Sequence, residues 1–422
     1  MTIFEILVPV VLLTMIGLLL TLCILTVKRF LSPALDYSIL INEEKEEVGK
    51  SSATLLENLL RLGYQVASPC GGKATCHQCK VRVMEGGGDP CDVENMIFKD
   101  EQIKQGWRLS CQCKVRSALK IQLPLASMNA STFKARVISN RNVSTFIKEL
   151  CIQIPEGKKV VYVPGDYMQF LIPPFKTQTN DWKETVDQIY QSNWERYDLF
   201  SHQIQCLEEG EVRAYSMASY PLEANVLKFT VRIATPPIKN GRVDPNIPWG
   251  TGSSYIFSLK EGAVVELSGP YGESHMKDNS KELVFLIGGA GASFARSHIL
   301  DLFYDKKTKR KVTLWYGARS LKENIYEDEF EKIAAEHQNF SYRLVLSEPD
   351  PADVQGGWPV SDPLKTGFAC TAFEKGQLCT MQNPEDALYY VCGPPMHNKT
   401  ALKLLDDYGV DAASITLDDF GN

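Results

Sequence analysis

The sequence predicts a multidomain chain: a single N-terminal transmembrane helix, an α+β domain, an antiparallel β-barrel domain and an α/β domain with a parallel sheet, in that order. Three observations predict it. Ile6 to Val27 carries no charged side chain and is long enough for the about 20 apolar residues that a bilayer core requires. From Phe133 to Tyr271 the chain is mostly short alternating stretches, as in antiparallel strands with one buried face. From Glu282 onward, continuous apolar runs alternate with helical patterns, as strands buried on both faces do. The 422 residues allow about three ordinary domains. A net charge of −6 without a Lys/Arg block or basic face argues against a nucleic-acid partner. Twelve cysteines in no secreted-scaffold pattern point to a reducing compartment.

Residues 1–31 read as the anchor. Lys28 and Arg29 follow the apolar run at once and only Glu5 precedes it, so the positive-inside rule places the rest of the chain in the cytoplasm. A cleaved signal peptide would reverse that order, with basic residues before the run and small residues after it.

Residues 33–127 read as a compact α+β unit. Tyr37 to Ile41 is a strand, and Ser52 to Leu62 a helix with Ser51 or Ser52 as N-cap. Lys80 to Val83 and Leu119 to Leu123 alternate as strands, and Gly86-Gly87-Gly88-Asp89-Pro90 breaks the first of them. Between lie Cys70, Cys76 and Cys79, with Cys111 further on. This C-x5-C-x2-C…C spacing is close to the plant-type pattern of a [2Fe–2S] cluster, which has four residues in the first gap where this chain has five. Small residues in the loop let backbone N–H groups point at the cluster sulfurs, although Ala74 and His77 stand where glycine would be easier. A zinc ribbon would pair two C-x2-C units, whereas the downstream half here is Cys111-Gln112-Cys113. Cys70, Cys76, Cys79 and Cys111 are therefore the expected ligands of a cluster in a ferredoxin-like (β-grasp) domain.

Residues 130–275 supply the barrel, interrupted by an insertion, 173–211, that is rich in acidic and aromatic residues including Trp182, Trp194 and Tyr197. It reads either as a docking surface or as a packed excursion on the barrel. Three elements follow in order: Arg213-Ala214-Tyr215-Ser216, Gly250-Thr251-Gly252-Ser253 and Gly269-Pro270-Tyr271-Gly272. Together they resemble the flavin-binding elements of the ferredoxin–NADP reductase superfamily. That resemblance implies FAD, with Arg213 on its pyrophosphate, Tyr215 stacked on the isoalloxazine and Ser216 near its N5. It also implies Gly250, Gly252 and Ser253 at a helix start facing the pyrophosphate, and Gly269 and Tyr271 at the same cofactor.

Residues 280–422 form the last domain. Gly288-Gly289-Ala290-Gly291 follows the strand ending at Ile287 and opens a helix, a context in which a dinucleotide pyrophosphate approaches the backbone. Ser293-Phe294 stands where the superfamily often has proline. Cys392-Gly393-Pro394-Pro395 resembles the superfamily's C-G-P-P motif, which implies Cys392 beside the nicotinamide, shaping a hydride pocket without thiolate chemistry. Phe420, near the C-terminus, resembles the aromatic that covers the flavin face; a docked terminal tail is the other reading. Arg319-Ser320 could meet a ribose 2′-phosphate, leaving NADH against NADPH open at the level of residues.

With these parts in this order, nearly the whole chain resembles the family of flavin- and cluster-carrying F subunits of the sodium-translocating NADH:quinone oxidoreductases. The resemblance implies a bacterial inner-membrane, single-pass protein that oxidises NADH on the cytoplasmic side. Electrons would pass from FAD to the cluster and on, through other subunits, to ubiquinone, coupled to Na⁺ export by those partners. Two alternatives share parts of this pattern: the reductase component of a multicomponent oxygenase, normally soluble, and a tethered electron carrier without dehydrogenase activity.

Overall fold

A computed structural model describes residues 12–23, 35–68, 70–124, 127, 130–206, 210–223, 225–239 and 241–419. Most of the expected anchor lies outside the described residues. Residues 12–23 are helical and exposed, and no helix among the described residues is long and apolar enough to cross a membrane. The chain divides into two compact units, residues 1–66 with 77–124 and residues 67–76 with 125–422.

The first unit is a five-stranded sheet in the order β2-β1-β5-β3-β4. Its strands are β1 (Asp36–Ile41), β2 (Lys45–Lys50), β3 (Lys80–Glu85), β4 (Trp107–Leu109) and β5 (Leu119–Gln122). β1 and β5 run parallel, and the other pairs are antiparallel. The helix begins at Leu55, not Ser52, and its cap is Thr54 rather than Ser51 or Ser52. The Thr54 hydroxyl accepts from the Glu57 N–H at 3.2 Å, and the Glu57 carboxylate accepts from the Thr54 N–H at 2.6 Å. Thr54-x-x-Glu57 is a capping box, which satisfies two of the orphan donors at the helix start. The strand β2, Lys-Glu-Glu-Val-Gly-Lys, escaped the alternation rule because its apolar content is too low; full antiparallel register with β1 makes it a strand.

The second unit contains a six-stranded antiparallel sheet, order β11-β8-β15-β6-β7-β12. Its members are β6 (Ser131–Ser144), β7 (Ile147–Gln153), β8 (Tyr167–Ile172), β11 (Glu211–Ser216), β12 (Val226–Arg232) and β15 (Val264–Tyr271). Just past β11 the Ala218 N–H bonds to the Lys228 carbonyl at 2.7 Å, tying one edge to the other around a core that includes Leu150, Phe170, Phe229 and Leu267. Short hairpins β9 (Lys176–Gln178) with β10 (Gln203–Gln205) and β13 (Ile238–Lys239) with β14 (Arg242–Val243) lie outside this sheet. Trp182, Tyr190, Trp194, Ile204 and Phe257 form a further buried cluster with β9, β10 and the helix Gln188–Arg196 around it, so the aromatic segment is a packed excursion.

A five-stranded parallel sheet completes the unit, order β18-β17-β16-β19-β20. The strands are β16 (Glu282–Gly288), β17 (Val312–Ala318), β18 (Phe340–Leu346), β19 (Ala387–Cys392) and β20 (Ile415–Leu417). Separate apolar clusters cover the two faces, with Phe285 and Tyr390 in one and Val284 and Tyr389 in the other. Successive residues of one strand thus feed opposite cores, which is why these strands read as unbroken apolar runs. Arg296 ties the helix Ala292–Leu300 to the barrel: it grips Glu223 at 2.7 and 2.8 Å and donates to the Ala218 carbonyl at 2.8 Å.

Candidate functional site

None of the four expected cluster ligands is joined in a disulfide. In the first unit the register of β3 with β4, Lys80 opposite Leu109, brings the ends that carry Cys79 and Cys111 side by side. The Ser110 N–H and hydroxyl both donate to the Cys79 carbonyl, at 2.8 and 3.0 Å. The Cys79 thiol is raised, first by its hydrogen bond with Cys111 and then by burial. A buried ion pair holds this corner: Arg108 meets Glu94 at 2.9 Å and donates to the Gly87 and Gly88 carbonyls. In the second unit the loop 67–76 places the Cys70 and Cys76 sulfurs 3.2 Å apart. Cys76 is the main influence bringing Cys70 down to about 4, and the N–H groups of Cys76, Thr75 and Lys73 add to it. The loop turns through Gly71 and Gly72 at positive φ, and Ala74 and His77 also take positive φ, +59° and +56°. Among the described residues no three His, Cys, Asp or Glu side chains share one metal position; the thiols stand as two pairs.

Within the second unit a cavity of about 520 Å³ opens between the barrel and the parallel sheet. Arg213, Tyr215 and Ser216 line it from β11, Gly250, Gly252 and Ser253 from the next helix start, and Gly288, Gly291, Gly393 and Pro394 from the sheet. Gly250 caps the helix Thr251–Ser258. A side chain at Gly252 could not be accommodated, because a Cβ there would sit 2.6 Å from Arg213 and 2.8 Å from the Tyr215 hydroxyl. The helix start, the guanidinium and a wall without Cβ fit an elongated diphosphate. Arg213 is ion-paired with Glu211 and donates to the Val212 carbonyl at 2.8 Å. Tyr215 packs edge-on against Phe170, centroids 5.4 Å apart. The Ser253 hydroxyl accepts from Ala234 N–H and donates to the Gly250 carbonyl, both at 3.0 Å, so it fixes the helix start from inside.

Ser216 donates to Asp418 at 2.9 Å. Burial raises the Asp418 carboxyl to about 6, Ser216 opposing and Asp419 adding to the rise. Asp419 lines the same cavity, one residue before Phe420, which lies outside the described residues. Gly269 and Tyr271 do not line the cavity; the Tyr271 hydroxyl is bonded to Ser268 at 2.6 Å. Cys392 is fully buried and its thiol is pushed well up by burial. It stands behind Gly291, where a Cβ would fall 3.1 Å from its sulfur, and lines neither cavity.

A second cavity of about 460 Å³ lies at the ends of β16, β17 and β18, the side of a parallel sheet where nucleotides bind. Gly288, Gly289 and Pro394 line it, joined by Arg232, Arg319, Glu323, Cys370 and His397. Ser320 is turned into the protein, 2% exposed. Neither Asp418, separated by 202 residues from Ser216, nor Glu323 was legible as a site residue; only the i,i+4 spacing of Glu323 from Arg319 gave a local signal.

Family models match three stretches: a 2Fe-2S iron-sulfur cluster binding domain at residues 39–116, an oxidoreductase FAD-binding domain at 198–276 and an oxidoreductase NAD-binding domain at 285–401. The chain is similar to the F subunit of the Na(+)-translocating NADH-quinone reductase of Chlamydia felis, 52% identical over 96% of each chain. It is equally similar to the protein of the same name in Chlamydia pneumoniae, 52% identical over 90% of this chain and 89% of that one. Among solved structures, the Amycolatopsis cytochrome P450 reductase GcoB shares the fold, with a TM-score of 0.61 at 20% identity over 91% of this chain and 98% of that one.

Proposed function

Because the chain belongs to the family of F subunits of the Na(+)-translocating NADH-quinone reductase, we propose that it is the electron-input component of such a complex: an oxidoreductase that takes hydride from NADH and passes single electrons to a [2Fe–2S] cluster, toward ubiquinone. When bound, FAD supplies the change from two-electron to one-electron chemistry. The observation that carries the reading is the first cavity, where the β11 residues and the two glycine-rich turns of the parallel sheet face one space. Arg213 would exchange Glu211 for the pyrophosphate, with the helix start at Gly250 beside it. Tyr215 would hold the flavin ring in plane and Ser216, oriented by Asp418, would present its hydroxyl to the reacting edge. Gly291 lets the nicotinamide approach, and Cys392 keeps that wall in place as a neutral thiol. The last described residue, Asp419, reaches the cavity, which supports Phe420 as the flavin cover.

Cys70, Cys76, Cys79 and Cys111 would supply the four thiolates that a [2Fe–2S] cluster takes. Residues 1–31 would anchor the chain: an uncharged run followed by Lys28 and Arg29, with the described part helical and apolar outward, supports an inner-membrane position with the enzyme domains in the cytoplasm. Na⁺ export would belong to partner subunits, because the run Ile6 to Val27 carries no charged side chain. The oxygenase-reductase alternative has in its favour only a shared fold at 20% identity. The test is an absorbance spectrum of the purified full chain, before and after NADH, with an artificial acceptor. Flavin and cluster bands that bleach with NADH support the proposal; a chain with neither band overturns it.

A further inference from the structure

The geometry points to Tyr167 as the bridge over which single electrons leave the first cavity for the loop that carries Cys70 and Cys76; the inference rests on reading that cavity as the FAD site and those thiols as cluster ligands. The loop 67–76 groups with the barrel, in the second unit. Tyr167 opens β8 and stands opposite Ser216 of β11 in the ladder. Directly opposed residues of an antiparallel pair share one face of the sheet, and Ser216 lines the cavity and meets Asp418. On its other side Tyr167 stands opposite Tyr271 of β15, and the two rings pack with centroids 5.7 Å apart, tilted by 37°. Tyr271, which lines neither cavity, is thereby the ring behind Tyr167, held by the bond of its hydroxyl to Ser268. The Tyr167 phenol is pushed up, first by burial, with Cys76, Tyr271, Glu273 and Asp418 adding to the rise. One side chain therefore lies within electrostatic reach of a cysteine of the loop and of the acid that orients Ser216.

The backbone that presents this ring is fixed at the preceding residue. The Asp166 carboxylate accepts from the Val163 N–H at 3.0 Å and meets His275 at 2.7 Å, and its carbonyl accepts from the Met217 N–H at 3.1 Å. Only electrons cross here. One electron leaves the flavin that NADH has reduced and takes one iron of the cluster from ferric to ferrous; the second follows once the cluster has passed the first on. Tyr167 gains and loses nothing: no bond to it forms or breaks, and its phenol keeps its proton. Its part is to fill the gap between flavin and loop with π-electron density. An aliphatic side chain or a void is a poorer path, because electron tunnelling falls off more steeply across empty space than through packed rings.

The test mixes the full chain, loaded with FAD and cluster, with NADH in the absence of oxygen and follows the flavin and cluster bands separately. Tyr167→Leu, and Tyr167→Met with its adaptable side chain, should slow bleaching of the cluster severalfold relative to bleaching of the flavin. Tyr167→Phe keeps the ring and should match the unmodified chain. Iron, sulfide and flavin contents and the equilibrium reduction potential of the cluster should be unchanged in all three variants, because the ring supplies the path and not the driving force. Cluster bleaching at the unmodified rate in a variant without the ring overturns the inference. So does a slowed rate that comes with a shifted cluster potential, or one that Tyr167→Phe shares. If Tyr167→Leu does not fold, Tyr167→Met decides; loss of either cofactor from both would make Tyr167 a packing residue and overturn the inference too. An unmodified chain whose flavin NADH does not bleach fails the dehydrogenase reading instead.

Discussion

Ala74 and His77 adopt backbone angles that glycine takes without cost, so the cysteine loop holds a shape its own side chains oppose. Such a shape persists when something else fixes it, and a cluster bonded to the neighbouring thiols would do so. Replacing Cys70, Cys76, Cys79 or Cys111 by Ala should each remove iron and sulfide while FAD stays bound; Cys113→Ala, at a buried apolar position, should keep both. Full iron in any of the four variants would strike that residue from the ligand set. At the flavin cavity, Arg213→Ala should weaken FAD binding by roughly one to two decades, the worth of a charge-assisted bond, read from flavin content and titration. Asp418 adds a pH signature. Burial raises its carboxyl to about 6, so below that pH it is neutral and above it a charged acceptor for the Ser216 hydroxyl. The rate of flavin reduction by NADH should change near pH 6 in the unmodified chain, and Asp418→Asn should flatten the profile; an inflection that survives the substitution would assign it elsewhere.

At the scale of elements, the insertion is locked to the barrel by a buried lysine. Lys148 donates to Thr185 at 2.8 Å and to the Phe257 carbonyl at 3.4 Å. Burial pushes its ammonium down to about 7, with Asp187 opposing. The folded value lies below the ordinary 10.5, so folding is penalised while Lys148 must carry its proton, and the penalty fades as pH rises from about 7 toward 10.5. Thermal unfolding should therefore shift upward over that range, and Lys148→Met should remove the shift. A sequence reading reaches such elements unevenly. The strands β8 and β18 were legible from alternation or apolar continuity, because burial alone selects their side chains. β2 was not, since hydrogen bonding to β1 stabilises a charged edge. The helix Pro395–Asp407 was hidden behind the two prolines that open it. The motifs around Arg213 and Gly393 were legible because each is a short contiguous run, and both line one cavity. Ser216 with Asp418, and Thr145 with Glu323, depend on folding distant segments together, which no local pattern records.

For the molecule as a whole, the barrel and the parallel sheet must stay registered if hydride is to cross between them, and Arg296 sits at that junction. Its grip on Glu223, with help from Lys228, overcomes the effect of burial and holds the Glu223 carboxyl at about 2. A depressed acid contributes stability that is present above its ordinary 4.5 and is lost as pH falls from there toward 2. Arg296→Met leaves Glu223 with Lys228, 2.7 Å away, as its remaining cation, and should destabilise the chain at neutral pH and less so in acid, as denaturant titration at the two pH values would read. The proposed anchor makes the complementary case, since in that reading it contributes position without chemistry. The residues assigned to flavin, cluster and nucleotide all lie beyond residue 69, and the run Ile6 to Val27 holds no charged side chain. Removing residues 1–31 should therefore leave NADH oxidation by a soluble acceptor at its full rate, because both cavities are built from residues 144–419. Quinone reduction in membranes should disappear, because an enzyme released into solution meets its membrane partners only by collision. Membranes containing the truncated chain that still reduced quinone at the full rate would show that docking by the domains after residue 31 suffices, and the anchor reading of the first 31 residues would fall.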